Sequence, residues 1–144
     1  MLAIGSDHGG FTLKQEIMSY LSKGGIEFKD FGTYTSDSCD YPVYAEKVAR
    51  AVADGECDRG ILVCGTGIGM SIAANKIKGV RCALCADCFS AEMTRRHNNA
   101  NVLALGERTI GAGLALKITE IFLNTPFEGA RHERRVDMIS KIEG

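Results

Sequence analysis

A chain of 144 residues, 45% hydrophobic and 24% charged, has no low-complexity tract and is sized for one domain, residues 1–144, with its own core. A net charge of −1 excludes whole-surface attraction to nucleic acid or to an anionic membrane. No apolar run reaches membrane-spanning length, and Met1-Leu2-Ala3-Ile4-Gly5 lacks the basic-then-apolar layout of a secretory signal, so a cytoplasmic protein is expected.

Strand-like and helix-like segments then alternate along the chain. Leu2 to Gly5 is a short apolar strand, followed by a helix with Leu13, Ile17, Tyr20 and Leu21 on one face. Gly24-Gly25 stops that helix, and Ile26 to Phe31 predicts a second strand. A polar loop from Thr33 to Asp40 leads into Pro42 and a helix striped by Ala45, Val48, Ala49 and Val52. Strand three is Gly60 to Cys64, with its helix running from about Gly67 to Ile77. Strand four covers about Val80 to Cys85, with a helix from about Ser90 to His97, and Asn101 to Leu105 supplies strand five. Leu114, Ile118, Ile121 and Phe122 stripe a helix that Pro126 terminates, and a last helix spans about Arg131 to Ile142. Repeated strand–helix units with short loops predict an α/β, Rossmann-like three-layer sandwich. It has a five-stranded parallel sheet, helices on both faces and a C-terminal helix. These patterns leave the strand order open.

Ligands in such folds bind beyond the carboxyl ends of the strands, so the residues found there predict the site. Strand one delivers Ser6-Asp7-His8-Gly9-Gly10, and strand five delivers Gly106-Glu107-Arg108. Strand three delivers Cys64-Gly65-Thr66-Gly67-Ile68-Gly69, a thiol followed by a glycine-rich turn into a helix start. The turn presents unhindered backbone N–H groups to an anion, whether a phosphate or an oxyanion formed in reaction. A helix start also favours a thiolate, competent as base or nucleophile; the alternative is a small buried residue ending a strand. The loop is not a nucleotide-binding P-loop, because Met70 and not lysine precedes Ser71. Nor does its spacing, after the third strand, match the dinucleotide fingerprint.

Other candidates carry paired readings. Asp7 and His8 suit proton transfer beside an anion, or Asp7 merely caps a helix and His8 lies on the surface. Arg95-Arg96-His97-Asn98-Asn99 ends a helix, as two cations complementing its dipole with an asparagine cap, or with His97 as a general acid. Arg131 and Arg135, four apart on a helix, make a phosphate clamp or a solvated basic face neutralised by Glu133 and Asp137. Of the six cysteines, Cys82-x-x-Cys85-x-x-Cys88 has part of a metal motif. Glu92 occupies the fourth position, however, and a strand through Cys82 and Cys85 splays their sulfurs to opposite faces. No metal is expected.

Together these segments resemble the ribose-5-phosphate isomerase type B family, which also contains the galactose-6-phosphate isomerase subunits. The resemblance spans essentially the whole chain. It rests on Ser6-Asp7-His8-Gly9-Gly10, Asp40-Tyr41-Pro42, Cys64 to Gly69, Ala73-Ala74-Asn75-Lys76, His97-Asn98, Gly106-Glu107-Arg108 and Arg131-His132-x-x-Arg135. It implies a cofactor-free aldose–ketose isomerase of pentose phosphate metabolism that interconverts D-ribose 5-phosphate and D-ribulose 5-phosphate. Allose 6-phosphate or galactose 6-phosphate is an alternative substrate, and a non-catalytic sugar-phosphate sensor an alternative class. By that resemblance His97, with Asp7, opens the furanose ring, and Cys64 carries a proton between C2 and C1. The amides of Gly65, Gly67, Ile68 and Gly69 hold the enediolate oxygen, and Thr66 helps move a proton between O1 and O2. Tyr41 and Asn98 position sugar hydroxyls, and His8, Arg108, Arg131 and Arg135 bind phosphate. The family pattern also implies a homodimer with shared sites, His97, Asn98 and Arg108 coming from the neighbour, with pairing into tetramers left open. Some relatives carry a glutamate base six residues after the cysteine position; here that residue is Met70, so the chain resembles the cysteine subtype.

Overall fold

A computed structural model describes residues 1–144. The elements are β1 (Leu2–Ser6), α1 (Phe11–Lys23), β2 (Phe28–Asp30), α2 (Tyr41–Ala53), β3 (Arg59–Cys64) and α3 (Ile68–Ala74). They continue through β4 (Cys82–Leu84), α4 (Cys88–Asn98), β5 (Val102–Gly106), α5 (Ala112–Asn124) and α6 (Arg131–Glu143). A single 3-10 turn, His8–Gly10, links β1 to α1. All strand pairs are parallel, in the order β2-β1-β3-β5-β4.

Side-chain alternation along each strand builds the layers. Leu2, Ile4, Ile61, Val63, Leu103 and Leu105 face a core with Leu13, Ile17 and Leu21 of α1 and Ile118 and Phe122 of α5. Ala3, Leu62, Cys64, Val102 and Ala104 face the other core, with Val48 and Val52 of α2 and Met70 and Ala74 of α3. The strand order follows from right-handed crossovers. Helices α1 and α4 lie on one face and carry the chain leftward in the order above, while α2 and α3 lie on the other and carry it rightward. The chain reverses direction between β1 and β3, which opens a crevice at their carboxyl ends. Register makes those ends level: Ser6 pairs with Val63, and Cys64 with Gly106.

The five strands match expectation, with shorter edges, and the helix stripes match except in α5, where Leu114 is exposed and Ala115, Ile118 and Phe122 turn inward. β2 spans Phe28–Asp30, not Ile26–Phe31, and β4 spans Cys82–Leu84, not Val80–Cys85; both are edge strands with one partner each. α3 ends at Ala74, not Ile77, because the Asn75 side chain leaves the helix to pair with Cys82. Its Oδ1 accepts from Cys82 N at 2.8 Å and its Nδ2 donates to Cys82 O at 2.9 Å. Asn75 thus acts as a one-residue strand on the open side of β4. α4 begins at Cys88, two residues early, with Asp87 as its N-cap accepting from Ser90 N at 2.7 Å.

A lysine is among the polar groups built into the interior. Lys14 is fully buried; its Nζ sits 2.7 Å from Asp30 Oδ1 and also donates to the Thr33 carbonyl. Thr33 N donates to Ser6 O at 2.7 Å, so this lysine ties the loop after β2 to the end of β1.

Candidate active site

At the switch point a cavity of about 440 Å³ is lined by Asp7, Tyr41, Cys64, Thr66, Gly69 and Arg108, among others. β3 ends at Cys64, 5% exposed, whose Sγ accepts the Gly67 N–H at 3.1 Å. The chain then turns through Gly67, whose φ of 78° is the left-handed conformation that favours glycine, and enters α3. Thr66 Oγ1 accepts the Ile68 N–H at 3.2 Å. The amides of Gly67 and Ile68 are thus both directed within the turn, the first of them at the sulfur. A side chain at Gly69 would place Cβ 2.5 Å from the Tyr41 ring, so glycine here lets the aromatic wall close on the loop.

Asp7 caps a turn and faces the cavity. Its Oδ1 accepts from Gly10 N at 3.1 Å as the cap of the 3-10 turn, and the residue also lines the cavity. His8 lies just outside the cavity, where its Nδ1 accepts the Cys39 N–H at 3.2 Å. Arg108 lies against the backbone of Gly65, where an added Cβ would come 3.1 Å from its Nη1. The Arg108 N–H donates to Gly65 O and the Glu107 N–H to Cys64 O, each at 2.9 Å, which locks the ends of β5 and β3 together. Within one chain Arg108 already lines the same cavity as Cys64, whereas the resemblance implied an Arg108 from the neighbour.

His97, Asn98, Arg131 and Arg135 are not brought to this cavity. α4 runs antiparallel to the strands, and its 11 residues, about 16 Å of helix, carry its end to the amino edge of the sheet. Arg81, just before β4, fixes that end by donating from Nε to Asn98 O at 3.2 Å and Asn99 O at 3.0 Å. Asn99 caps α4 in the left-handed conformation, as expected. Arg95 departs from the expected dipole partner at a surface. It is 4% exposed and donates to Asn99 Oδ1 at 2.9 Å and Ala100 O at 2.6 Å, while burial and the neighbouring Arg59 and Arg81 lower its pKa to about 10. Arg131 and Arg135 begin α6, which packs on α4, so they share a corner with His97.

In that corner the donor atoms of His97, Glu128 and His132 lie within 4.8 Å of one another. The two imidazoles are stacked with planes 11° apart, so their in-plane lone pairs run side by side and do not converge on one point. The arrangement is not a preformed metal centre. Burial pushes the Cys82 thiol up to about 12 and the Cys85 thiol to about 11, as suits small core residues and not anionic metal ligands.

Two positioning residues stood inside the motifs without being recognised. Glu107 Oε1 accepts the Leu13 N–H at 2.6 Å, capping α1 from across the sheet. Asn75, which the expected helix enclosed, clamps β4 instead.

A parallel sheet here presents a thiol, a carboxylate and an amide-rich turn at its switch point, the place where open α/β sheets bind ligands. The chain belongs to the ribose/galactose isomerase family, whose model matches residues 2–139. It is 51% identical to ribose-5-phosphate isomerase B of Escherichia coli over 142 residues, 99% of this chain and 95% of that one. The solved structure of ribose-5-phosphate isomerase B from Clostridium thermocellum superposes with a TM-score of 0.98 at 55% identity, covering 99% and 96% of the two chains. The D-erythrulose-4-phosphate isomerase of Pectobacterium atrosepticum is 43% identical over 143 residues, 99% of this chain and 94% of that one.

Proposed function

We propose that this chain interconverts D-ribose 5-phosphate and D-ribulose 5-phosphate through a cis-enediolate, with Cys64 as the base. The observation that carries this reading is the Gly67 N–H donated to Cys64 Sγ at 3.1 Å, on the wall of a cavity flanked by loop amides. That hydrogen bond holds the sulfur on the cavity wall, where it can meet the proton of a bound sugar.

The reaction begins with ring opening. Asp7 takes the proton of the O1 hydroxyl, His97 gives one to the ring oxygen, the C1–O4 bond breaks and C1 becomes an aldehyde. Exchange with solvent resets both groups, since one gains and the other loses a single proton. Cys64 then removes the C2 proton, and the negative charge moves to O1 beside the amides of Gly65, Gly67, Ile68 and Gly69. One well-placed donor is worth about 3–4 kcal/mol to such an oxyanion. Thr66 passes a proton from O2 to O1, and Cys64 returns its proton to C1. C1 is reduced as C2 is oxidised, so the redox change closes inside the substrate and no cofactor takes part. Tyr41 and Asn98 hold sugar hydroxyls, and His8, Arg108, Arg131 and Arg135 hold the phosphate.

Because α4 delivers His97 and Asn98 to the far edge of the sheet, this reading requires a second copy of the chain. The working unit is a homodimer in which the α4–α6 corner of one protomer completes the crevice of its partner. The decisive variant is Cys64→Ala, which lowers isomerisation by about a thousandfold or more. Affinity for a non-isomerisable sugar phosphate stays within about twofold, because the thiol is not among the phosphate ligands. Unchanged turnover removes Cys64 as the base. A wider range of aldose phosphates is a second reading, favoured by the similarity to an isomerase of a four-carbon sugar phosphate. Ranking kcat/KM for ribose 5-phosphate, erythrose 4-phosphate, allose 6-phosphate and galactose 6-phosphate decides between them.

A further inference from the structure

His132 has no part in the chemistry above, yet it is held against a group that does. Its ring stacks on that of His97 with centroids 4.1 Å apart and planes 11° from parallel. The residue is 6% exposed, and its Nε2 makes no hydrogen bond, with Glu128 Oε1 3.4 Å away. Face-to-face contact with His97 is therefore what the buried ring supplies. The turn before it is fixed to α4, since Glu128 N donates to Arg96 O at 3.1 Å, and His132 N closes that turn on Gly129 O at 3.0 Å.

We infer that His132 is a positioning residue for ring opening, an aromatic face that holds the His97 imidazole flat and leaves its edge free to reach the sugar ring oxygen. The inference rests on the reading of His97 as the ring-opening acid. Burial and the adjacent His97 lower the His132 pKa, which favours the neutral form of the supporting ring. A neutral aromatic face accommodates a positive charge on His97, whereas a second imidazolium would repel it. One ring is thereby a fixed surface, and the other alone carries the proton.

The test separates ring opening from enolisation. Ribose 5-phosphate is mostly a closed furanose. Ribulose 5-phosphate is acyclic, because the oxygen that would close a five-membered ring on its C2 carbonyl carries the phosphate. Turnover of the aldose needs ring opening; exchange of the ketose C1 hydrogen with D2O, followed by NMR, does not. His132→Ala lowers kcat on ribose 5-phosphate about tenfold to a hundredfold, with KM and C1 exchange within about twofold of wild type. His132→Phe keeps an aromatic face and a filled core, and recovers kcat to within about threefold. An equal fall in both reactions, no fall in either, or a Phe variant as poor as the Ala variant overturns the inference. His97→Ala, run alongside, tells the two readings apart. If it leaves aldose turnover intact, the assignment of His97 fails and this inference with it; if it impairs turnover while the His132 variants do not, only this inference fails.

Discussion

The carboxyl end of the sheet and the α4–α6 corner contribute different halves of the proposed chemistry, and they are built by different means. The first is made of backbone. Strand ends brought level by register, glycines at close approaches and cross-strand hydrogen bonds place Cys64, Asp7 and the loop amides with little side-chain freedom. The second is made of side chains. Arg81 and Arg95 hold the end of α4 by its carbonyls, Arg96 bridges to Glu92 and Glu128, and two imidazoles stack. A backbone-built region leaves Cys64 and the loop amides little freedom to move. A corner of arginines and stacked histidines presents side chains that can meet a ligand from outside.

The sharpest way to break this division is to cripple each region in a different copy. Cys64→Ala and His97→Ala are each expected to be nearly inactive alone. Denatured together and refolded as a mixture, they recover about a quarter of wild-type activity, because half the dimers are hybrids and each hybrid has one intact site. Recovery indistinguishable from the separate variants would mean that the two regions do not work across copies.

That division also explains what was legible in the sequence. Cys64, Asp7 and Arg108 could be placed at one crevice because parallel strands and short loops fix where strand ends lie, whatever packs around them. Strand order was not legible, since β4 and β5 exchange places through long-range pairing that no local pattern records. The corner was legible only through resemblance. Spacing puts Arg131 and Arg135 on one helix face, but which helix that face meets depends on how α6 docks on α4. Arg95 shows the limit clearly. In sequence it looks like a surface cation at a helix end, and only tertiary packing buries it beside Arg59 and Arg81.

Within the backbone-built region, Gly67 is the most constrained joint. Alanine there would hold a φ of 78° with its Cβ 2.6 Å from Leu84 Cδ1 and 2.9 Å from the Leu105 carbonyl carbon. Gly67→Ala is expected to cost about 1–3 kcal/mol of stability and, by moving the amide on Cys64, about a hundredfold in kcat. Gly79→Ala is the control, with a φ of 89° but nothing within 4 Å of the added carbon. It should lose stability in a thermal melt while keeping turnover, and equal kcat losses in both variants would show that strain, and not amide placement, is what matters.

For the side-chain corner, Arg131→Ala should raise KM for the phosphorylated sugar about tenfold or more, the worth of a charge-assisted hydrogen bond. Turnover of the unphosphorylated sugar, measured at high concentration, should change little. Matching effects on both substrates would leave Arg131 and Arg135 as a solvated basic face.

The smallest effect concerns pH and bears on whether the corner holds a neutral ring. Burial first, then His97 and Arg131, depress the His132 pKa in the folded chain below its ordinary value, with Glu128 opposing and Arg135 adding to the shift. The unfolded chain titrates this imidazole near about 6.5. Between that value and the lower folded one, the unfolded state binds a proton that the folded state refuses, so stability falls as pH drops through the window and is unaffected above it. Asp87, whose pKa is lowered by hydrogen bonds from Ser90, acts in the same direction but only further into acid, below the ordinary aspartate range. Urea unfolding at pH 7.5, 6.5 and 5.5 should therefore show a loss on the acid side that His132→Phe reduces, since phenylalanine has nothing to titrate. An identical slope in the two proteins would mean that His132 takes up its proton as easily folded as unfolded, and the corner would then hold two charged rings where one is argued.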